Sequence, residues 1–93
     1  MQPPIGKFAL GKIIKTPEVS KCIATKDILP SLCRHINGDW GIASDSVKEN
    51  NETALVSGGS ISSFYNTKSR IIYCILTNAD RTLTTVSLVE SVP

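Results

Sequence analysis

Hydrophobic and polar positions along the chain follow two different periods, and the change falls near residue 60. Upstream of it, apolar residues recur at helical spacing. Downstream, they alternate with Ser and Thr or form short apolar runs between turn residues, as in strands. The pattern predicts an α+β fold with two to three short N-terminal helices packed on a three- or four-stranded antiparallel β-meander. No repeat or linker divides the chain, so we expect residues 1–93 to form a single domain with a loose, Pro-rich start at 1–7.

The first predicted elements are an edge strand, or an extended lead-in, within residues 8–15 and a short helix after it. Thr16 followed by Pro17 is typical of a helix N-cap and its first helical position. This helix is expected to end near residue 24. Its predicted inward residues are Val19, Cys22 and Ile23.

A second helix is predicted over residues 28–37, with Asp27 as its N-cap and Pro30 in its first turn, where no helical hydrogen bond is lost. Gly38 would supply the left-handed residue that ends it. Helical spacing places His35 at the edge of the apolar arc and Arg34 opposite the arc. The predicted apolar arc consists of Ile28, Leu29, Leu32 and Ile36.

A third helix is predicted to start at Ser46, or alternatively at Ser44, and to stop at residues 57–59. The strand half then contains three segments, at residues 60–65, 70–77 and 82–90. The middle segment is apolar on both of its faces, as in a central strand that is covered on both sides. Helices on one side would leave the other face without a cover, and a partner chain is one candidate for it.

Composition limits what such a chain can do. With 93 residues, of which 41% are hydrophobic, it can build one small core, and its net charge of +2 comes from scattered basic residues. Direct nucleic-acid binding is therefore not expected, because such modules cluster their positive charge. No stretch approaches the ~18 apolar residues of a membrane span. Three cysteines without paired spacing favour free thiols in a reducing cytosol, so a cytoplasmic protein that binds no membrane is expected.

The densest cluster of chemical groups is the stretch RHINGDWG, residues 34–41, which holds the only histidine and the only tryptophan. His35 and Asp39 could meet across the helix end as an acid–base couple. The alternative, which we favour, is a structural corner in which Gly38 ends the helix and Trp40 folds back onto the core. Cysteine and histidine spacing also argues against a metal site, and no cofactor is predicted.

Several segments together resemble a family of small proteins of bacterial genomes, plasmids and phages. Its members carry R-H-x-x-G-D-W-G, then N-x-x-A-L-x-x-G-x-R-I-x-S-x-Y, then a strand ending in T-E-A-D-R and a T-T-x-x-L strand. The resemblance spans residues 8–90, with Asn78 in place of the usual Glu and Ser60 in place of the usual Arg. The matching positions are Arg34, His35, Gly38, Asp39, Trp40, Gly41, Asn51, Ala54, Leu55, Gly59, Ile61, Ser63, Tyr65, Ala79, Asp80, Arg81, Thr84 and Thr85.

Members of this family are often labelled as a type I restriction methylation subunit or as plasmid-related. A methyltransferase needs a cofactor-binding sheet and a catalytic Asn/Asp-Pro-Pro-aromatic loop, and neither fits in this chain. The resemblance therefore implies a setting on mobile elements, near restriction or defence systems, and not a methyltransferase activity.

These observations predict a small non-catalytic binding protein of a mobile genetic element. It would act as an inhibitor or adaptor, of the anti-CRISPR or anti-restriction type, by contact with a larger host protein or ribonucleoprotein complex; a homodimer is a further expectation. One alternative is a small hydrolase or metal-dependent enzyme using His35, Asp39 and Asp80. Another is a weak nucleic-acid binder using Lys7, Lys12, Lys15 and Arg70. The predicted partner-binding residues are Arg34, His35, Asp39, Trp40, Asp80 and Arg81.

Overall fold

The computed structural model describes residues 6–93 and has an α+β fold, which confirms the predicted class. Residues 1–5, most of the segment predicted to be loose, lie outside the described part, whereas the Lys7 backbone N–H donates to the Ile36 carbonyl at 2.6 Å. The elements are β1 (Lys12–Lys15), α1 (Pro17–Cys22), α2 (Thr25–Ile36), α3 (Asp45–Ser57), β2 (Ile61–Asn66), β3 (Ile72–Thr77) and β4 (Leu83–Val89).

The sheet has the strand order β1-β4-β3-β2. Strands β2, β3 and β4 form the predicted antiparallel meander, with β3 in its interior. The prediction of a wholly antiparallel sheet is wrong, because β1 pairs with β4 in parallel. The helices are also not simply N-terminal, since all three lie between β1 and β2. Alternation indicates which residues face a core but not which way a strand runs, and the helices provide the long crossover that parallel pairing requires.

The two faces of this sheet differ in burial. One face, which we call the core face, packs against α1 and α2. Its main cluster is Val19, Ile23, Ile28, Leu32, Tyr65, Tyr73, Ile75 and Val86. The opposite face, which we call the open face, is only partly covered: Ile14 and Leu76 are 41% and 42% exposed. It also carries Lys12, Ser62, Phe64, Asn66, Ile72, Cys74, Thr85, Ser87 and Val89.

Helix α1 begins as predicted, with the Thr16 hydroxyl accepting the Val19 N–H at 3.3 Å. Val19 and Ile23 are buried, but Cys22 is exposed, so its predicted inward position is wrong. The helix ends at Cys22, earlier than expected. All three cysteines are free thiols, and burial raises the pKa of Cys74 to about 11.

Helix α2 begins three residues before its predicted start, after Ala24, which provides no side-chain cap. Asp27 therefore lies in the first turn and is not the N-cap, and Pro30 lies inside the helix. Pro30 and Lys26, whose carbonyl would have paired with residue 30, are both exposed, so water can satisfy the freed carbonyl. Leu29 is 54% exposed, which corrects its predicted inward position.

Helix α3 closes the β2 edge of the sheet. Ser44, the alternative cap, accepts the Val47 N–H at 3.4 Å. The fully buried Asn51 side chain donates to the Ser62 carbonyl at 2.7 Å and accepts the Ser62 N–H at 3.1 Å. Residues 40–42 pair with β2 next to it, through Ile42 N–H to the Phe64 carbonyl at 2.7 Å. These contacts pair the outward backbone groups of Ser62 and Phe64, which would otherwise be free to bind another strand.

Replacing Asn51 with Ala is expected to lower the free energy of unfolding by about 2 kcal/mol, because both polar groups of Ser62 lose their partner in a half-buried position. Urea unfolding measures the change. The neighbouring Asn50→Ala, at an exposed position of the same helix, is the matched control and should stay within about 0.5 kcal/mol of wild type. Equal stability of the two variants would show that Asn51 does not close the edge.

Candidate functional site

The RHINGDWG segment begins at the C-terminus of α2, which ends in a Schellman turn. Gly38 has φ +82°, as predicted for a left-handed helix end. Its N–H donates to the His35 carbonyl at 3.1 Å, and the Asp39 N–H donates to the Arg34 carbonyl at 2.9 Å. The turn reverses the chain so that residues 39–41 reach β2.

Arg34 and Asp39 form an ion pair across this turn. The Arg34 Nε donates to Asp39 Oδ2 at 2.8 Å and Nη2 donates to Oδ1 at 3.2 Å. The hydrogen bond from Arg34 is the main reason that the pKa of Asp39 is lowered, and it likewise raises the pKa of Arg34. The guanidinium lies over the Tyr65 ring, 4.8 Å from its centroid, and the Tyr65 hydroxyl donates to the Asp39 carbonyl at 2.6 Å. Both charged side chains are about half exposed, at 50% and 53%, so the pair presents a fixed polar surface but stabilises the fold little.

Trp40 and Gly41 attach the corner to the core. Trp40 is buried, as predicted, and its indole N–H donates to Glu52 of α3 at 2.8 Å. Gly41 has φ +68° and lies so close to β2 that a Cβ there would overlap the Phe64 carbonyl oxygen and lie 2.7 Å from Tyr65 Cδ1. Only glycine fits at this position.

His35 is completely buried and lies at the centre of a chain of hydroxyl groups that crosses the core face. Its Nδ1 is 2.5 Å from the Ser63 Oγ, and its Nε2 is 2.9 Å from the Thr77 Oγ1. The Thr77 Oγ1 is 2.7 Å from the Thr84 Oγ1, which donates to the Leu10 carbonyl at 2.7 Å. The chain thus connects α2 to β2, β3, β4 and the segment before β1.

The carbonyl at the end of this chain determines the direction of every hydrogen bond in it. Thr84 uses its single hydroxyl proton on Leu10, so Thr77 must donate to Thr84 and can only accept from His35. His35 is therefore a donor at Nε2 and, when neutral, an acceptor at Nδ1, where the Ser63 hydroxyl donates. We call this set of hydrogen bonds the His35 relay.

Electrostatics keep His35 uncharged. Burial, followed by the positive charge of Arg81, lowers the pKa of His35 to about 4. Arg81, itself half-buried, donates to the Gly59 carbonyl at 2.5 Å and the Ala54 carbonyl at 3.1 Å and lies over the Phe8 ring. His35 and Arg81 therefore both direct their polar groups to other groups inside the protein.

The structure does not bring together the three residues of the enzyme hypothesis. Both nitrogens of His35 bond to hydroxyls, so the predicted couple with Asp39 is not formed. Asp39 pairs with Arg34, and the exposed Asp80 accepts the Thr82 hydroxyl proton at 2.6 Å, which lowers the pKa of Asp80. Within residues 6–93, no group of three His, Cys, Asp or Glu side chains is arranged to hold a metal ion.

Sequence reasoning missed the partners of His35. Ser63, Thr77 and Thr84 are all fully buried. The signal for them was present, because each lies at a core-facing position of a predicted strand, where a hydroxyl needs a buried partner.

A separate cleft of about 410 Å³ opens between the α1–α2 junction and the β2–β3 turn. Ser31 and Tyr73 line its buried part, and their hydroxyls are 2.5 Å apart. Its outer lining includes Asp27 and Lys68, both exposed. The two inner hydroxyls already satisfy one another, so the cleft offers a recess and not a reactive centre.

The basic residues of the nucleic-acid hypothesis lie on different parts of the fold. Lys7 contacts the end of α2, Lys12 and Lys15 lie on β1, and Arg70 lies in the β2–β3 turn. No helix among residues 6–93 is long and apolar enough to cross a membrane.

A further exposed feature is a row of directly paired residues across the open face. Ile14 of β1 pairs with Thr85, Thr85 pairs with Leu76, and Leu76 pairs with Ser62. The two aliphatic side chains in this row, Ile14 and Leu76, are about two-fifths exposed. By contrast, core-face residues of β2, β3 and β4 such as Ser63, Ile75 and Val86 are fully buried.

Comparison with models of known protein families, with curated proteins and with solved structures gave no match. The resemblance to the R-H-x-x-G-D-W-G family stays a prediction.

Proposed function

We propose that the protein is a non-catalytic binding protein of a mobile genetic element. It inhibits or redirects a host nucleic-acid defence complex, of the CRISPR or restriction type, by protein–protein contact in the cytoplasm of a bacterial host. The observation that carries this proposal is the open face, where Ile14 and Leu76 remain exposed in a small protein that needs its apolar residues for its core. The defence setting comes from the family resemblance.

The environment of His35 favours binding over catalysis. General acid–base chemistry near neutral pH usually needs a titrating group that reaches the substrate. The chain's one histidine is fully buried, has a pKa of about 4 and donates or accepts only within the His35 relay. The Ser63 hydroxyl beside it is equally buried, so no substrate reaches this pair.

The six residues proposed for partner binding divide into two groups. Arg34, Asp39 and Asp80 are exposed and remain candidates for contact with a partner. In contrast, His35 and Trp40 are buried in the corner and Arg81 binds internal carbonyls. A partner that docks on the open face would meet an apolar platform, and one that reaches the first group would meet exposed charges.

Protection of transforming DNA tests this proposal. In host cells with an active restriction or CRISPR system, expression of the protein should raise the transformation efficiency of a targeted plasmid. Leu76→Glu should abolish this protection without lowering the melting temperature, because a charge on the open face opposes desolvation by a partner. Val56→Glu is the matched control, since Val56 is 88% exposed on α3, and it should protect like wild type.

The outcomes separate the hypotheses. Full protection by Leu76→Glu would reject the open face as the contact surface, and loss of protection in Asp39→Asn and Asp80→Asn would then assign the contact to the exposed charges. Absence of protection in every system tested would reject the defence function. A gel shift with plasmid DNA that weakens steeply between low and high salt would instead indicate a nucleic-acid binder.

A further inference from the structure

We infer that the outer edge of β1 binds an extended acidic segment of a partner protein, which adds to the sheet as a fifth strand. This inference rests on the proposed function and names the chemistry of the partner. It starts from the sequence of β1, Lys-Ile-Ile-Lys, and from the position of that strand at one edge of the sheet.

Backbone geometry shows which groups of β1 face outward. The Lys12 N–H donates to the Thr82 carbonyl at 2.9 Å, and the Thr16 N–H donates to the Val86 carbonyl at 3.0 Å. Residues of a parallel ladder alternate between pairing inward and pointing outward, so the peptide groups of Ile13 and Lys15 point away from β4. Within residues 6–93, no backbone or side-chain group pairs with them on that side.

The two edges of the sheet differ in whether their outward backbone groups have partners. The β2 edge is closed by Asn51 and by residues 40–42, which satisfy both Ser62 and Phe64. Natural sheets close or charge their edges to avoid uncontrolled pairing. In this chain the β2 edge is closed, whereas the β1 edge is charged by two lysines but keeps the free backbone groups of Ile13 and Lys15, which strand addition by an oppositely charged segment requires.

The side chains of β1 define the segment that fits. Lys12 and Ile14 lie on the open face, whereas Ile13 and Lys15 lie on the core face, where Ile13 remains 45% exposed. A strand laid along this edge would place one residue beside each of the four. Opposite charges and apolar pairs stabilise neighbouring strands, so the complementary segment has the order acid, apolar, apolar, acid.

Charge also argues against a second copy of the chain as the occupant. Self-pairing at β1 would bring Lys12 and Lys15 of both copies into one two-stranded ribbon. The strand contains no acid, and the first acid that follows it in the chain, Glu18, lies beyond its C-terminal end. Repulsion between lysines therefore favours an acidic partner over a homodimer.

Peptide binding tests the inference directly. The probe is a capped peptide with a Glu-Val-Val-Glu core between Thr residues, and its matched control has a Lys-Val-Val-Lys core. We expect the acidic peptide to bind at least about tenfold more tightly at low salt, since each charge pair changes sign between the two peptides. Binding should slow hydrogen exchange at the Ile13 and Lys15 amides and leave the Ser62 and Phe64 amides unchanged.

Two sets of variants test the mode of binding. Ile13→Pro removes an outward donor but keeps the β1–β4 ladder, because edge strands tolerate Pro where the N–H faces solvent, and it should abolish peptide binding with little loss of stability. Combined Lys12→Glu and Lys15→Glu should reverse the preference toward the lysine peptide. Lys48→Glu, on α3 at the closed edge, is the charge control and should keep the wild-type preference.

Equal affinity for both peptides, protection at amides outside β1, or full binding by Ile13→Pro would each overturn the inference. A dimer in sedimentation that Ile13→Pro dissociates would also overturn it, because a second copy would then occupy the edge. Failure of peptide binding leaves the plasmid-protection result with Leu76→Glu unaffected, since Leu76 lies on β3, separated from β1 by β4. If the protein binds the acidic peptide but does not protect plasmids in cells, only the defence role is rejected.

Discussion

Lowering the pH from 6.5 to about 4 is expected to reduce the free energy of unfolding by about 3 kcal/mol, chiefly through His35. Burial lowers the pKa of His35 to about 4 in the folded state, and the unfolded chain keeps the ordinary value near 6.5. Between these values the unfolded chain binds a proton that the folded protein excludes. The stabilising contribution is therefore complete above pH 6.5 and is lost progressively as the pH falls toward 4.

The structural reason is that protonation of His35 places an N–H donor at Nδ1, the atom that acts as an acceptor in the His35 relay. A proton on Nδ1 would face the Ser63 hydroxyl, which already donates to that atom, so Ser63 would have to turn and accept instead, and its own proton would lose this partner. The lowered pKa of Asp39 adds to acid sensitivity only at more acidic pH, because its ordinary value is 3.8.

Urea unfolding at a series of pH values measures this effect, and an NMR titration of the single histidine measures its pKa directly. In His35→Gln, which does not titrate, stability should be lower overall but should lose most of its dependence on pH between 6.5 and 4. A native-state pKa near 6.5 would contradict the burial of the imidazole. An unchanged pH dependence in His35→Gln would assign the effect to other groups.

Sequence periodicity was sufficient for features with a local cause. The Thr16 cap depends on one side chain and one nearby N–H, and Gly38 is required by backbone conformation alone, so both were predicted correctly. The antiparallel meander also follows from short turns between strands, which leave few other connections.

The remaining errors come from contacts between distant segments. Strand β1 runs parallel to β4 because of how the helices return the chain, and no pattern within residues 12–15 encodes that direction. Leu29 is exposed because α1 and α2 cover the core face with other residues, although its helical angle matched that of the buried ones. The His35 relay depends on residues far apart in sequence, from Leu10 to Thr84, so periodicity placed His35 near the core without identifying its partners.

The RHINGDWG cluster illustrates why dense polar residues need not mark an active site. Most of its distinctive residues have a structural contact: Arg34 with Asp39, His35 in the relay, Gly38 in the turn and Trp40 with Glu52. The segment joins the end of α2 to β2, and such a junction has to satisfy helix carbonyls and strand donors in a small volume. Arg34 and Asp39 remain exposed as an ion pair, whereas the exposed aliphatic side chains of the sheet lie elsewhere, on β1 and the open face.

Replacing Gly41 with Ala is expected to lower the free energy of unfolding by about 4 kcal/mol, a large part of the stability of a domain of this size. A left-handed φ of +68° is unfavourable for Ala, and the new methyl group would overlap the Phe64 carbonyl oxygen. Relief of that overlap moves residues 40–42 away from β2. The movement breaks the bonds from Ile42 N–H to the Phe64 carbonyl and from Phe64 N–H to the Trp40 carbonyl.

The matched control for Gly41→Ala is Gly38→Ala, in the same corner and with a similar φ of +82°. A Cβ at Gly38 would approach only the flexible Lys7 side chain, which can move, so we expect a loss of about 1 kcal/mol from backbone strain alone. The difference between the two variants, measured by urea unfolding, isolates the close approach of the corner to β2. Losses of similar size would show that backbone conformation, and not contact with β2, is what requires glycine in this motif.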